Sequence, residues 1–168
     1  LARRLAVLGR NEAIERRNHN VHEMLGTLQQ NWIGAGKEAP QLELSANSSG
    51  AEIFIDSLQF QQCVLNLVLN SLAATDGAGT ITIHADLVED LPPGVAPQPV
   101  STPAVCVSVV DDGPGLPQEI ADRLFAGWAS TRPTDSRTGI GLTVIAGIVV
   151  RSGGGIRGRY RTCRMMGW

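Results

Sequence analysis

Charge is nearly balanced in this sequence: 14 Lys and Arg against 16 Asp and Glu leave a formal net charge of −2 at pH 7. The chain as a whole therefore lacks the electrostatic footprint that nucleic acid or an anionic membrane surface requires. Arginines gather near both ends (Arg3, Arg4, Arg10, Arg16, Arg17; Arg151, Arg157, Arg159, Arg161, Arg164) and read as solvated faces. Cysteine is scarce. Cys63, Cys106 and Cys163 are odd in number and unrelated in spacing, which argues against a disulfide framework and suits a reducing cytosol. No apolar run spans a bilayer: the longest, Gly139 to Val150, falls short of the about 20 residues a span takes. No secretory leader and no internal repeat is visible. At 168 residues the chain suffices for one domain burying roughly two thirds of its extended-chain surface.

What the sequence does have is periodicity. Residues 1 to 10, LARRLAVLGR, set Leu1, Leu5 and Leu8 on one helical face and read as the tail of a longer helix. A polar connector over residues 11 to 20 leads to VHEMLGTLQQNW, an amphipathic helix ended by Gly34 and Gly36. QLELSA and AEIFID alternate around NSSG, which predicts a β-hairpin. A helix over residues 57 to 75 follows, then a half-buried strand, TITIHADL. Residues 90 to 103 hold five of the nine prolines and read as an exposed insertion between strands. AVCVSVV is a β-branched strand, QEIADRLF a short helix, and LTVIAGIVVRS a buried helix closed by SGGG. This order predicts an α+β sandwich, a mixed sheet with helices on one face.

The chain is organised around SLQFQQCVLNLVLNSLAAT, apolar on almost every side yet carrying Gln62, Asn66 and Asn70 at intervals of four, which stack along one helical face. A buried amide without partners costs about 1–3 kcal/mol. The carboxamides therefore require either a closed hydrogen-bond network in the core or a bound ligand or metal. Downstream, VVDDGPGLP ends a strand on Asp111, where Gly113 and Gly115 allow a tight turn and close approach of a flat ligand. A carboxylate there can accept a hydrogen bond from an amine. RTGIGL then opens a helix with glycines, whose free N–H groups and dipole favour phosphate.

Each of these is weak alone; the ordered combination is specific. Over roughly residues 20 to 156 the chain resembles the catalytic, ATP-binding domain of the two-component sensor histidine kinases, within the gyrase, Hsp90, histidine kinase and MutL superfamily. QQCVLNLVLNSL resembles the N box, VVDDGPGLP the first glycine box, RLFAGWASTR the F box and TGIGL the second glycine box. The resemblance implies a two-layer α/β sandwich of the Bergerat type. It implies that Asn70 coordinates a magnesium ion on the triphosphate of ATP, with Asn66 lining the same site, and that Asp111 accepts the adenine amino group. Gly113 and Gly115 are implied as the floor of the adenine pocket. Thr138, Gly139, Ile140, Gly141 and Leu142, with Thr131 and Arg132 of the preceding loop, are implied at the nucleotide, and Phe125 and Trp128 as packing for the ATP lid. Ala73, Arg137, Ala126 and Gly127 depart from residues common in these boxes, and beyond Ile156 the match fails, which puts the sheet's last strand in doubt.

The resemblance further implies three segments: the end of a dimerisation helix and linker (1–19), the catalytic domain (20–156) and an atypical tail (157–168). The phosphoacceptor histidine is expected upstream, on a dimerisation domain, because too few residues follow Trp32 for a second hairpin helix after His22; HEMLGTL as a degenerate phosphoacceptor box is the alternative. Implied partners are that domain and a response-regulator receiver domain, in a cytoplasmic location and a homodimeric parent, with no nucleic acid or membrane contact by this segment. ATP-hydrolysing relatives carry a glutamate one turn before the magnesium asparagine, and here that position is Asn66, which cannot take a proton. An ATP-hydrolysing switch and a nucleotide-free interaction module are the rival readings.

Overall fold

The computed structural model describes residues 14–33, 41–46, 50–77, 79–91, 100–115, 139–159 and 162–166. The elements run β1 (Arg17–Asn20), α1 (Val21–Ile33), β2 (Gln41–Ala46), β3 (Glu52–Ile55), α2 (Ser57–Ala74), β4 (Thr80–Val88), β5 (Ala104–Asp111), α3 (Gly139–Arg151), β6 (Gly155–Arg159) and β7 (Thr162–Met166).

Helix α2 starts where Asp56, in an extended conformation (φ −78°, ψ 120°), accepts from the N–H groups of Leu58 and Gln59, a cap worth about 1 kcal/mol. It stops at Thr75, where Asp76 (φ 51°) and Gly77 (φ 79°) turn left-handed and Gly77 N–H closes on the Leu72 carbonyl at 3.0 Å. Its buried face is Phe60, Cys63, Val64, Leu67, Val68 and Ser71, the spacing of a stripe that faces a core. That face meets α1 (Val21, Met24, Leu25, Leu28), α3 (Ile145, Ile148, Val149) and one side of the sheet (Leu42, Ile81, Ile83, Ala85, Val105, Val107, Val109, Ile156) in a single cluster. Burial pushes the Cys63 thiol up to about 12, with the Arg151 charge opposing, so it is no nucleophile at neutral pH.

The main sheet has the order β2-β4-β5-β7-β6. Among the described strands only β2 and β4 pair in parallel, and β3 with α2 supplies the crossover such a pair needs. The sheet is mixed, with helices on one face, as the sequence predicts. α1, α2, β4, β5 and α3 also fall where periodicity placed them, and the proline-rich stretch connects antiparallel β4 to β5.

Two expectations are corrected. QLELSA and AEIFID are strands but not a hairpin: β2 joins β4, from Gln41 opposite Thr80 to Ala46 opposite Ala85, whereas β3 pairs antiparallel with β1, Arg17 opposite Ile55. Alternation shows that a strand has one buried side, not which neighbour it takes, and the polar residues RNHN read as connector because a ladder is made by backbone alone. The sheet's last strand is also present: β6 and β7 pair from Gly155 opposite Met166 to Arg159 opposite Thr162, and β7 adds to β5. Residues 1–13, the loop ends at Gly34 and Gly36, and the short helix read over residues 118–125 lie outside the described residues. Among those described, no helix is long and apolar enough to cross a membrane.

Candidate functional site

The site is built where the end of β5 meets the last turn of α2. β5 lies between β4 and β7 and is buried from Ala104 to Val109, so its C-terminal end is a fixed point. There Asp111 is half-buried, and its Oδ1 accepts from Gly113 N–H at 3.1 Å; among the described residues its other oxygen accepts nothing. Gly113 is buried. A Cβ on it would stand 2.8 Å from Asp111 Oδ1, 3.2 Å from the Ala74 carbonyl and 3.3 Å from Thr75 Cγ2. The backbone there is packed against the end of α2 with no room for a side chain. Gly115 adopts φ 75°, where glycine is at ease.

Gln62 and Asn66 are half-buried and Asn70 is exposed, so the stripe climbs out of the core toward the helix end. Among the described residues, no hydrogen bond is made by the Asn66 or Asn70 carboxamide. A closed core network of these two carboxamides is therefore not seen among the described residues. Asn70 stands one turn, about 6 Å of rise, before Ala74, whose carbonyl backs Gly113.

Helix α3 packs beside α2. Glu15 N–H donates to Asp56 at the start of α2, and the next residue, Arg16, donates to the Arg151 carbonyl at the end of α3. The start of α2 and the end of α3 are thus neighbours. The two helices run antiparallel, which brings Gly139, the first residue of α3, toward the end of α2 that carries Asn66 and Asn70. Gly139, Ile140, Gly141 and Leu142 form the first turn of α3, where unsatisfied N–H groups and the positive dipole end collect. Thr131, Arg132, Thr138, Phe125 and Trp128 lie outside the described residues. Among those described, no group of His, Cys, Asp and Glu could hold a metal by itself.

Residues not singled out in the sequence also shape the site. Asp112 Oδ2 accepts from Thr80 N–H at 3.0 Å, and its other oxygen lies against the Cβ position of Gly79, which is at φ 86°. The turn entering β4 is thereby pinned to the end of β5. Thr75 closes α2 by donating to the Ser71 carbonyl at 3.0 Å and backs Gly113. The signal for Asp112 was the second acid of DDG, but a paired acid in a turn looks like an ordinary Asx residue. His19 and His22 are peripheral: His22 is exposed on α1 and His19 is half-buried in β1, and α1 contributes Val21 and Leu25 to this domain's core.

The packing predicts that Gly113→Ala displaces the Asp111 carboxylate and loses about 1–3 kcal/mol of stability. Chemical denaturation checks it; an unchanged midpoint would show that the Ala74 carbonyl is free to retreat.

Residues 55–163 match the family described as histidine kinase-, DNA gyrase B-, and HSP90-like ATPase. The sensor histidine kinase ZraS of Salmonella typhi is 30% identical over 117 residues, 70% of this chain and 22% of that relative, so the chain spans about a fifth of its length. The catalytic domain of histidine kinase ThkA superposes with a TM-score of 0.65 at 22% identity, covering 90% of this chain and 92% of that one. Histidine kinase ThkA in complex with response regulator protein TrrA gives 0.61 at 19% identity, covering 98% of this chain and 44% of that one. The match over residues 55–163, on a fold shared with a histidine kinase catalytic domain and in a sequence similar to sensor histidine kinases, shows that the chain belongs to the histidine kinase-, DNA gyrase B-, and HSP90-like ATPase family.

Proposed function

We propose that the chain is the catalytic domain of a sensor histidine kinase. It binds Mg-ATP and donates the γ-phosphate to a histidine on a dimerisation domain outside this segment, for relay to a response-regulator aspartate. The observation that carries this reading is the Asp111 carboxylate, held by Gly113 N–H through one oxygen, beside the end of a helix whose Asn66 and Asn70 carboxamides have no hydrogen-bond partner among the described residues. A carboxylate acceptor over a glycine floor suits the exocyclic amine and flat face of adenine. The free N–H groups opening α3 suit phosphate oxygens.

The residues fit magnesium. An amide oxygen is a hard donor, and a magnesium ion is held sparsely by protein and largely by phosphate and water. Asn70, with Asn66 beside it, would hold the ion, which when bound neutralises charge on the triphosphate. In the transfer step an imidazole nitrogen of the incoming histidine forms a bond to the γ-phosphorus as the bond from phosphorus to the β,γ-bridging oxygen breaks and ADP leaves. The chain's own part is orientation: Asp111 fixes the base, and the first turn of α3 (Gly139, Ile140, Gly141, Leu142) and Thr138 fix the phosphates, while roles at the nucleotide for Thr131 and Arg132 and in lid packing for Phe125 and Trp128 rest on the family resemblance alone. Asn66 cannot deprotonate water, so the bound nucleotide is spared from hydrolysis. The complex of ThkA with its response regulator supports a receiver domain as the next partner. The cytoplasm, where ATP is abundant, is the location that suits this activity.

Titration of a non-hydrolysable ATP analogue tests the reading. Binding is expected to tighten about tenfold or more with magnesium, the weight of a charge-assisted contact. Phosphate release by the isolated domain in magnesium and ATP would instead identify a hydrolysing switch, and no binding at all an interaction module.

A further inference from the structure

Two hydrogen bonds from adjacent residues tie the segment entering the domain to both helices of the pocket. Glu15 N–H donates to Asp56 Oδ2 at 2.9 Å, while Asp56 Oδ1 accepts from Leu58 and Gln59 N–H at 3.0 and 3.1 Å. Arg16 Nη2 donates to the carbonyl of Arg151 at 2.6 Å. Neither helix needs these bonds to end. The α2 cap uses only one Asp56 oxygen, and the chain after α3 closes through Gly154 N–H to the Val149 carbonyl at 2.9 Å and Gly153 N–H to the Val150 carbonyl at 3.0 Å. The Arg17–Glu15 ion pair, 2.9 Å long with both side chains about 70% exposed, stays within the segment and holds it to nothing else.

We propose that Asp56 and Arg16 form a two-point strap, a pair of positioning residues that couple the segment leading into the domain to the nucleotide pocket. The inference rests on the nucleotide reading above. Asp56 lies about 21 Å along α2 from Asn70, and Arg151 about 18 Å along α3 from Gly139. The two helices are antiparallel, so both attachments sit at one end of the pair and the candidate phosphate and metal positions at the other. A pull on Glu15 and Arg16 shifts the helices against each other, and a packed helix carries that displacement to its far end. By linkage the effect is reciprocal: a ligand that fixes the far ends tightens the strap.

The test pairs Asp56→Asn with Arg16→Met in the full 168-residue chain. The asparagine keeps an oxygen for the α2 cap but presents an amide N–H₂ to Glu15 N–H, and methionine keeps the stem of Arg16 without its donor. Two quantities are read: the Kd of a non-hydrolysable ATP analogue with magnesium, and hydrogen exchange at the Glu15 amide with and without that analogue. In the unmodified chain the analogue is expected to slow Glu15 exchange about fivefold or more. The double variant is expected to bind about fivefold more weakly at an unchanged melting temperature, with Glu15 exchange indifferent to the analogue. A loss of helix capping alone predicts a lower melting temperature and leaves the ligand effect on Glu15 in place. Analogue binding by the unmodified chain without a change at Glu15, or equal affinity in the double variant, overturns the strap alone. No binding by the unmodified chain overturns the functional reading, and the strap with it.

Discussion

Asp111→Asn is expected to weaken binding of an ATP analogue about ten- to hundredfold, the worth of a hydrogen bond to a charged group of about 1.5–3 kcal/mol. One Asp111 oxygen is engaged by Gly113 N–H at 3.1 Å. An asparagine oxygen can keep that bond, which forces its N–H₂ toward the adenine amine, so that two donors face each other. Because the Gly113 contact survives, the melting temperature is expected to stay where it was, and affinity and stability are read separately. Calorimetric titration of both proteins decides the matter. Equal affinities would mean that adenine does not lie against this carboxylate.

Asn70→Ala is expected to lower phosphate transfer to a histidine-bearing dimerisation domain, supplied in trans, by about 100-fold or more, the scale of losing a group that holds a metal in place. Slow but measurable transfer is expected from the unmodified chain. The side chain is exposed and makes no hydrogen bond among the described residues, and alanine is the better helix former by a few tenths of a kcal/mol. Activity should therefore fall while thermal stability holds or rises slightly, an outcome no packing defect produces. Retained transfer by Asn70→Ala would remove this residue from the reaction.

The parts of the fold legible in the sequence are those where burial imposes a period. Ile81, Ile83 and Ala85 alternate into the core, and the α2 face from Phe60 to Ser71 repeats every three and four residues, so strand and helix could be read directly. What escaped was pairing. Nothing in RNHN marks Arg17–Asn20 as a strand, because its contribution is backbone hydrogen bonds to β3, and the turn-forming NSSG suggests a partnership that the structure replaces with β2 on β4 and β3 on β1. β6 and β7 were missed for a similar reason: GIRGR and TCRMM alternate too weakly to announce a strand next to the core.

In the candidate site, Asp111, Gly113 and the carboxamide stripe were readable because each residue type is unusual for its setting: an acid ending an apolar strand, glycines after it, amides on a buried helix. Asp56, Asp112 and Arg16 were not. Their work lies in joining segments far apart in sequence, such as Glu15 to Asp56 and Arg16 to Arg151, and no local pattern encodes which remote amide or carbonyl a surface side chain will meet.

The order in which the sheet fills has a consequence for biogenesis. The last of the described strands, β7, is wedged between β5 and β6 rather than added at the rim. Until it inserts, β5 has a raw flank, open to strands of other molecules, and Asp111 hangs from a strand secured on one side only. The end of β5 is therefore held on both sides only once residues 162–166 have paired with it.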